Sequence, residues 1–301
     1  MTLDPFEHYF AVLNNEKKPN FIKAELNELL QKTKELLKEC CLCMHRCKID
    51  RFSAKGFCNV DLKPRIFGAF LHYGEESILV PSATIFFSGC TMRCVYCQNA
   101  PESIFPELGK EYSIKRITDW ILEKSLEGCK NVNFVGGEPT PYLYNILQVL
   151  ALCKKRKIAV PVVWNSNSFY SANIHPILED IVDLFLLDFR YFNDSCASTL
   201  SAVKNYVKAA KANILHADKL AQQCKASLLI RILVLPSHLE CCTIPMLKWI
   251  AENCKSYAVN LMDQYWPAYK AKEFKGIDRP LSMEEYNKAK AAAEKFGVNL
   301  V

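Results

Sequence analysis

Three cysteines have the spacing of a redox-active metal site. Cys90, Cys94 and Cys97 form a C-x3-C-x2-C pattern that directly follows a strand-length run of aromatic and β-branched residues. Three closely spaced thiolates on a loop can hold three irons of a [4Fe–4S] cubane, which leaves the fourth iron without a protein ligand. An open coordination position is typical of a catalytic metal site. A structural zinc site is the alternative, but such sites prefer paired C-x2-C units that total four ligands.

A second group of cysteines lies upstream and supplies the full ligand set of a closed metal site. Cys40, Cys43, Cys47 and Cys58 are spaced C-x2-C-x3-C-x10-C, and Cys41 is a spare that could exchange roles with Cys40. A second [4Fe–4S] cluster and a structural zinc both satisfy the count of four thiolates. We favour the cluster, because the spacing lacks two C-x2-C knuckles and the chemistry predicted beside it is redox. Zinc is the alternative.

The composition of the 301-residue chain is that of a folded protein with reduced thiols. Half of the residues are hydrophobic, and the fifteen cysteines lie in a long chain whose start lacks a basic and then apolar signal segment. No apolar run reaches the roughly eighteen residues of a spanning helix. The net charge of +6 is spread over many lysine-rich faces. We therefore expect a soluble, cytoplasmic protein, with no nucleic-acid or membrane partner indicated.

Short β-branched runs alternate with helix-length amphipathic segments from residue 83 onward. The predicted strands are 83–88, 131–135, 160–164, 182–187, 227–234 and 257–262. The predicted helices are 113–128, 142–154, 172–180, 197–213, 240–253 and 283–296. Strands that alternate with helices imply parallel βαβ units. Six strands are too few for the closed eight-stranded barrel. The sequence thus predicts an α/β fold, an open, partial (β/α)6 barrel over residues 83–301.

The first 82 residues are predicted to form an extension that precedes the barrel. Residues 21–39 have the apolar stripe of an amphipathic helix, which Asn20 could cap. The cysteine-rich segment 40–58 follows it, and its polar and basic composition indicates a metal-bound loop rather than regular structure. The sequence therefore predicts a helical, metal-binding extension over residues 1–82.

Capping residues mark the ends of two predicted helices. In the last helix, Ser282 and Glu285 have the spacing of a capping box, and Gly297 can end the helix. Thr140, which precedes a proline, looks like the cap of the second predicted helix.

Further candidate residues follow the last two predicted strands, where a parallel barrel delivers side chains to one mouth. Cys241 and Cys242 could donate a hydrogen atom or bind substrate, and buried packing is the alternative. Gln264 and Tyr265 are candidate substrate residues for the same positional reason. The other cysteines have no ligand spacing and are predicted to pack in the interior; they are Cys129, Cys153, Cys196, Cys224 and Cys254.

Residues around the cysteine loop resemble the radical SAM enzymes, which use S-adenosylmethionine (SAM). Tyr96 directly precedes the third cysteine, as an aromatic residue does in that signature. Gly136-Gly137-Glu138 resembles the GGE motif that holds the SAM amino group. The resemblance implies a cluster whose open iron binds the amino and carboxylate groups of SAM and cleaves SAM reductively. The product is a 5′-deoxyadenosyl radical that abstracts hydrogen from a substrate, so the implied class is an oxidoreductase.

The ends of the next strands resemble the glycyl-radical-enzyme activases within that superfamily. Residues 166–169 are Ser-Asn-Ser-Phe where these activases have Thr-Asn-Gly-Phe, and residues 188–190 are Asp-Phe-Arg where they have Asp-Leu-Lys. The resemblance implies that Arg190 and Arg231 approach the SAM carboxylate, although Arg190 replaces a lysine and changes the geometry. The other implied contacts, to SAM or to a cation or ribose site, are Asn165, Ser166, Asn167 and Asp188.

A narrower resemblance covers most of residues 20–300. It is to the PflX-like group of proteins related to the pyruvate formate-lyase activating enzyme, and it is carried by residues 40–47, 56–58, 97–99, 233–236 and 262–265. The GGEPTP form of residues 136–141 is similar to the archaeal branch of that group.

The resemblance implies a protein or peptide substrate, as for a glycyl-radical activase. The alternative is a radical SAM enzyme that modifies a small molecule, with an auxiliary cluster at the upstream cysteines. Either enzyme needs a one-electron reductant, such as a ferredoxin or a flavodoxin-like protein. A non-catalytic iron–sulfur electron carrier is a third interpretation, but it does not explain the charged residues at the strand ends, which are Glu138, Asp188, Arg190 and Arg231.

Overall fold

The computed structural model describes residues 4–301 and is built around one eight-stranded sheet. Its strands are β1 (Arg65–His72), β2 (Ser82–Phe87), β3 (Lys110–Glu111), β4 (Asn131–Gly136), β5 (Val162–Ser166), β6 (Leu184–Asp188), β7 (Ser227–Leu233) and β8 (Ala258–Met262). The order across the sheet is β3-β1-β2-β4-β5-β6-β7-β8. The last six run parallel, and β1 and β3 are antiparallel to their neighbours. This architecture confirms the predicted open barrel of six parallel strands.

Helices return the chain between successive parallel strands, which is why the strands pair in parallel. The helices of the described chain are α1 (Glu7–Leu13), α2 (Asn20–Lys23), α3 (Leu26–Lys38), α4 (Ile114–Leu126), α5 (Leu143–Lys155), α6 (His175–Glu179), α7 (Asp194–Ser201), α8 (Tyr206–Gln222), α9 (Ile244–Asn253) and α10 (Met283–Phe296). Of these, α4 to α9 connect parallel strands, α1 to α3 precede the sheet, and α10 follows β8. No helix within residues 4–301 has the length and apolar character needed to cross a membrane.

Side-chain alternation along the strands separates an outer core from an inner one. In β6, Phe185 and Leu187 pack into the large core beneath the helices, while Leu184 and Leu186 face the barrel interior. The inner cluster also contains Phe6, Tyr9, Leu79, Val163, Leu229 and Ala258. Apolar side chains from the start of the chain and from the segment before β2 therefore fill the amino-terminal end of the barrel. The opposite end carries polar and charged side chains together with apolar ones.

The sequence analysis did not predict β1, although β1 is eight residues long. Most of its residues are only partly buried, and its register against β2 shifts at Gly68, so the strand lacks a clean alternation of apolar and polar residues. β1 lies within the first 82 residues and pairs with β2. Part of the predicted extension thus adds a strand to the sheet, between β2 and the short edge strand β3.

The prediction of one continuous helix over residues 21–39 is wrong. The chain breaks between α2 and α3, where Ala24 has an extended backbone. Asn20 is the first residue of α2 rather than its cap, and its side-chain amide donates to the carbonyls of Val182 at 2.7 Å and Lys225 at 2.9 Å. Because this break contains no glycine or proline, the apolar pattern runs across it without a signal.

The prediction of one helix over residues 197–213 is wrong for the same reason. The segment contains the end of α7 and the start of α8, and both Ala202 and Asn205 adopt left-handed backbone conformations, with φ values of 54° and 58°. The turn between the two helices contains no glycine or proline. Only the three-dimensional structure therefore reveals it.

The predicted cap of the last helix is confirmed and the other is wrong. Ser282 and Glu285 form a complete capping box at the start of α10, and Gly297 ends that helix in the left-handed conformation. Thr140 does not cap α5, which begins after Tyr142. The Thr140 hydroxyl instead donates to a neighbouring carboxylate, as described below.

Candidate active site at the carboxyl ends of the parallel strands

A cavity of about 310 Å³ lies inside the barrel beyond the inner apolar cluster. The alternation that turns Leu184 and Leu186 inward in β6 also turns Asp188 inward, and Leu229 is followed in the same way by Arg231. The volume is at the lower end of the range of about 300–1,000 Å³ found for small-molecule sites. Except for Ser166, the residues predicted to surround the loop cluster and SAM line it; they are Cys90, Cys94, Tyr96, Cys97, Gly136, Gly137, Glu138, Asn165, Asn167, Asp188, Arg190 and Arg231.

Each of the three loop thiols has a hydrogen-bonding partner. The Ser201 hydroxyl donates to Cys94 Sγ at 3.0 Å, and the Asn167 side-chain amide donates to Cys90 Sγ at 3.6 Å. Cys97 Sγ lies 3.2 Å from the Ser103 hydroxyl. Hydrogen bonds to cysteine sulfur are one of the means by which proteins set the potential of an iron–sulfur cluster. This donor set fits three thiolates bound to iron.

A chain of buried hydroxyl groups extends from Cys94 across the site. The Ser201 hydroxyl that donates to Cys94 is 2.6 Å from the Tyr191 hydroxyl, which is in turn 2.6 Å from the hydroxyl of Tyr96. Burial raises the pKa of both tyrosines above the usual range, so both phenols are protonated at neutral pH. Tyr96 is thus linked to the predicted cluster ligands in two ways. It lies directly before Cys97 in the cysteine loop, and its hydroxyl is connected to Cys94 through the Tyr191 and Ser201 hydroxyls. Sequence analysis did not identify Tyr191 or Ser201, which belong to no motif.

Two adjacent glycines let the end of β4 pass the cysteine loop. Gly136 has a φ of 115°, and a Cβ there would overlap the backbone of Phe87 at the end of β2. A Cβ on Gly137 would overlap the carbonyl of Gly89, which immediately precedes Cys90. The glycines are therefore required by this close approach of two backbones.

Glu138 is a buried and rigidly held carboxylate. Its side chain is 1% exposed, and burial raises its pKa. Oε1 accepts hydrogen bonds from the hydroxyls of Thr140 at 2.6 Å and Ser166 at 2.7 Å, and Oε2 accepts one from the Asn167 backbone N–H at 2.9 Å. These hydrogen bonds favour the ionised form and partly offset burial. The arrangement fixes a hydrogen-bond acceptor at the cavity wall.

Arg190 has unused hydrogen-bonding capacity beside the cavity. Its Nη2 donates to Asp188 Oδ2 at 2.6 Å, while its buried Nε has no partner among residues 4–301. Across the cavity, the buried Oδ1 of Asn133 also has no partner in the described chain. Buried polar groups without partners are rare and costly. An amino-acid-like ligand, with a carboxylate to accept and an ammonium or hydroxyl to donate, fits these two atoms.

Arg231 is engaged differently from Arg190. Its Nε and Nη2 donate to the two carboxylate oxygens of Glu76 at 2.7 and 2.6 Å, and Nη2 also pairs with Glu75. Asn260 donates to the same Glu76 carboxylate at 2.8 Å. The charge of Arg231 is thus already neutralised by two carboxylates that sequence analysis missed, because both follow the unpredicted strand β1.

The segment after β8 crosses the gap between the two edges of the parallel sheet. The Lys270 backbone N–H donates to the Val95 carbonyl at 2.8 Å, and the Gln98 side-chain amide reaches the Gln264 carbonyl at 3.4 Å. Of the two predicted substrate residues, Gln264 lines the cavity. Tyr265 is instead buried, and its hydroxyl donates to the Ile277 carbonyl at 2.6 Å.

The four upstream cysteines lie in one segment that folds back on itself. The Lys48 backbone N–H donates to the Cys40 carbonyl at 3.0 Å, and the Phe57 backbone N–H donates to Cys47 Sγ at 3.5 Å, which brings Cys47 close to Cys40 and Cys58. Burial raises the pKa of the Cys43 thiol. Cys41 is not part of this group. Its sulfur accepts from the Asn173 side-chain amide at 3.3 Å and lies 4.0 Å from the Leu36 carbonyl.

The cysteine-rich segment packs directly on the cluster loop. The His45 ring is hydrogen-bonded to the Thr91 carbonyl at 2.8 Å, and the Met44 backbone N–H donates to the Phe169 carbonyl at 3.2 Å. The Arg93 guanidinium lies 4.5 Å from the centre of the Phe57 ring. Two cysteine groups that are distant in sequence thus become neighbours.

A third group of thiols was missed by sequence analysis. Cys196, which was predicted to pack alone, lies beside Cys241 and Cys242. A signal was present, since Cys196 follows β6 and the other two follow β7, and the carboxyl ends of neighbouring parallel strands meet at one edge. Cys196 and Cys241 are separated by 45 residues in the sequence, so their spacing does not suggest a common site.

Comparison with known proteins gives the family of the chain. The sequence profile of the radical SAM superfamily matches residues 84–250, which is more than half of the chain. An uncharacterized protein of Methanocaldococcus jannaschii is 40% identical over 290 residues, which cover 93% of this chain and 82% of the relative. The pyruvate formate-lyase-activating enzyme of Clostridium pasteurianum is 30% identical over 116 residues, which cover 36% of this chain and 46% of the enzyme.

Among solved structures, SuiB of Streptococcus suis bound to S-adenosylmethionine is similar over 70% of this chain, with 16% identity and a TM-score of 0.49. The chain spans about half of the length of SuiB (47%) and of the activating enzyme (46%). The cofactors of the matched superfamily are a [4Fe–4S] cluster and SAM. The chain belongs to the radical SAM superfamily, an enzyme superfamily of radical chemistry.

Proposed function

We propose that this enzyme cleaves SAM reductively at a cluster held by Cys90, Cys94 and Cys97. When bound, the cluster supplies the electron that breaks the sulfonium C–S bond of SAM, and the resulting 5′-deoxyadenosyl radical abstracts hydrogen from the substrate. The support is the set of hydrogen-bonding partners around the three thiols and the cavity beside them, whose lining includes the charged side chains of Glu138 and Arg190. The electron comes from a one-electron reductant of the ferredoxin or flavodoxin class.

The remaining cavity residues orient SAM. Glu138 accepts a hydrogen bond from the SAM ammonium, and the free Nε of Arg190 donates to its carboxylate. Gly136 and Gly137 keep the strand end close to the ligand. Asn165 and Asn167 are placed for the ribose or the amino-acid moiety. Because Arg231 is already paired with Glu76, its part is to hold the cavity wall beside SAM.

The substrate class that we propose is a protein or peptide, with an activity like that of the glycyl-radical-enzyme activases. The observation that carries this proposal is the 30% identity to the Clostridium pasteurianum activating enzyme over 116 residues. We place the chain in the PflX-like group related to that enzyme. We place it in the archaeal branch, which the 40% identity to the Methanocaldococcus jannaschii relative supports.

We also propose that the first 82 residues form a metal-binding extension to the barrel of residues 83–301, with a second [4Fe–4S] cluster at Cys40, Cys43, Cys47 and Cys58. Two features support the cluster over zinc. No three of these sulfurs, in the described residues 4–301, lie within 4.8 Å of one another, as ligands of a single zinc would. The segment also packs on the loop that carries Cys90, Cys94 and Cys97, so a second redox centre would lie beside the first.

A small-molecule substrate is the second candidate. The segment after β8 docks on the cluster loop and narrows the mouth through which a protein loop would enter. A cavity of about 310 Å³ beside a second cluster suits a compact substrate.

The deciding experiment compares substrates by size. The reconstituted enzyme, SAM and a reductant are incubated anaerobically with size-fractionated extract of the source cells, with Cys94→Ala protein as the matched control. A glycine-centred radical in the protein fraction, seen by EPR with wild-type enzyme alone, is the result we expect. If only the small-molecule fraction stimulates 5′-deoxyadenosine formation, the activase assignment is wrong.

A further inference from the structure

Three cysteines outside the SAM cavity form a compact cluster beside the barrel mouth. Cys196 lies on α7, and Cys241 and Cys242 lie in the π-helical turn Leu239–Thr243 that precedes α9. Their sulfurs lie within 4.8 Å of one another, and Cys196 Sγ is 3.8 Å from Cys241 Sγ. None of these three residues lines the cavity around Cys90. The cluster is therefore separate from the proposed SAM site.

The sulfur separations match one small ion bound by several thiolates. Two sulfurs on a tetrahedral zinc, each about 2.3 Å from the metal, lie about 3.8 Å apart. The observed distance between Cys196 and Cys241 is 3.8 Å. A disulfide needs a separation of about 2.05 Å. This trio is also the one group of thiols in residues 4–301 whose sulfurs come this close, which sets it apart from the two groups assigned to iron–sulfur clusters.

The burial of the trio differs from that of ordinary core cysteines. Cys242 is 1% exposed, but Cys196 and Cys241 are only half-buried. A structural cysteine usually packs as a small buried hydrophobe with apolar neighbours. π-helical turns are rare and are frequent at functional sites. Here the turn directs two consecutive cysteines to the same neighbouring helix.

We propose that Cys196, Cys241 and Cys242 bind one Zn²⁺ ion through three thiolates, with water as the fourth ligand. Zn²⁺ is thiophilic and accepts a tetrahedral arrangement. The ion ties the helix that follows β6 to the turn that follows β7. Those strands carry Asp188 and Arg231. The zinc site thus fixes the spacing of two strand ends at the mouth of the cavity.

The test is the zinc content of the iron-loaded protein. Anaerobically reconstituted protein is equilibrated with Zn²⁺ alone, passed over a chelating resin, and analysed for zinc and iron by mass spectrometry. Wild type should retain about one zinc per chain. In Cys196→Ser and Cys241→Ser, the zinc affinity should fall by more than roughly 10–100-fold, which is the loss caused by removing an outer-shell partner. The iron content of both variants should be unchanged. Cys129→Ser, at a half-buried cysteine outside the trio, should behave as wild type.

Three results would overturn the proposal. They are a wild-type protein that takes up no zinc, zinc uptake that survives in Cys196→Ser, and zinc uptake that is lost in Cys43→Ser instead. A Cys196–Cys241 disulfide in protein purified without oxygen would also contradict it. Wild type supplies a readout that needs no variant, since Co²⁺ in the site should produce thiolate-to-cobalt charge-transfer absorption. Because none of these readouts measures SAM cleavage, this inference can fail or succeed independently of the proposed function.

Discussion

The cluster loop and the cysteine-rich segment contact each other, but the fold supports them in opposite ways. The loop that carries Cys90, Cys94 and Cys97 leaves β2 directly and is tied to the end of α7. The Arg93 and Val95 backbone N–H groups donate to carbonyls at the end of that helix, both at 2.9 Å. Cys90 Sγ receives a hydrogen bond from Asn167, which follows β5, and Cys94 Sγ receives one from Ser201 at the end of α7. The protein thus preforms the first site.

Residues 40–58, in contrast, form no helix or strand of their own. Arg46 and Lys48, on either side of Cys47, have left-handed φ values of 44° and 55°. Such a backbone costs about 1–2 kcal/mol at each non-glycine residue. Cys40 and Leu42 pack in the core, but residues 40–58 form no regular hydrogen-bonded element that offsets this cost, so we expect their fold to depend on a metal bound by the proposed thiol ligands. We therefore expect the barrel to preform the first metal site and a bound metal to order the segment that carries the second.

The largest expected effect is therefore on the cysteine-rich segment after removal of iron. After a chelator has removed the iron, backbone hydrogen exchange of residues 40–58 should accelerate by several orders of magnitude. For such segments, the free energy of metal binding is also the free energy that folds them. Backbone amides of β4 to β7 should keep their protection. Equal acceleration in both regions would mean that the barrel also depends on metal.

The second prediction concerns the preformed site. Glu138→Gln should weaken SAM binding by about 10- to 150-fold, because a charge-assisted hydrogen bond worth about 1.5–3 kcal/mol is lost. Iron content should stay that of wild type, and Glu107→Gln, at an exposed carboxylate, should change neither quantity. Unchanged affinity combined with lost iron would show that Glu138 serves the cluster rather than SAM.

The third prediction concerns the support behind the site. His175 is hydrogen-bonded to Asn213 at 2.7 Å, and Asn213 donates to the carbonyls of Ser168 and Tyr170, next to Asn167. Burial lowers the pKa of His175 from 6.5 to about 4, so the unfolded chain takes up a proton that the folded chain does not. Stability is therefore complete above pH 6.5 and falls as the pH decreases.

Between pH 6.5 and 5 this loss should be about 2 kcal/mol. Urea unfolding across that range gives the pH dependence of the free energy of unfolding of wild type. In His175→Gln, which has no titrating side chain at this position, the free energy of unfolding should fall less, by about that amount. An equal pH dependence of the free energy of unfolding in the two proteins would mean that a group other than His175 takes up the proton.

The smallest effect is expected from the hydroxyl chain. Ser201→Ala removes a hydrogen bond to Cys94 Sγ, which favours the more negatively charged, reduced cluster. The midpoint potential, measured by EPR-monitored titration, should fall by about 20–60 mV, the equivalent of about 0.5–1.5 kcal/mol for one electron. Ser198→Ala, at an exposed serine of the same helix, should leave it unchanged. An unshifted midpoint potential in Ser201→Ala would mean that the hydroxyl chain contributes to packing and does not tune the cluster.

Features carried by local sequence were predictable from the chain alone. The cysteine loop, the glycine pair and Glu138 each follow a buried strand, and parallel strands bring such segments to one edge. β1 was not predictable, because its exposed residues and Gly68 obscure the alternation, and the partners of Arg231 were lost with it. The thiol trio was missed because its members are distant in sequence.

The central claim is that the preformed site alone cleaves SAM. It is tested most directly by 5′-deoxyadenosine formation and iron content in the same anaerobic, reduced samples. Wild type should hold about eight irons, and both Cys94→Ala and Cys43→Ala/Cys47→Ala about four. The double variant should still form 5′-deoxyadenosine, and Cys94→Ala should form none. Undiminished 5′-deoxyadenosine from Cys94→Ala would contradict it.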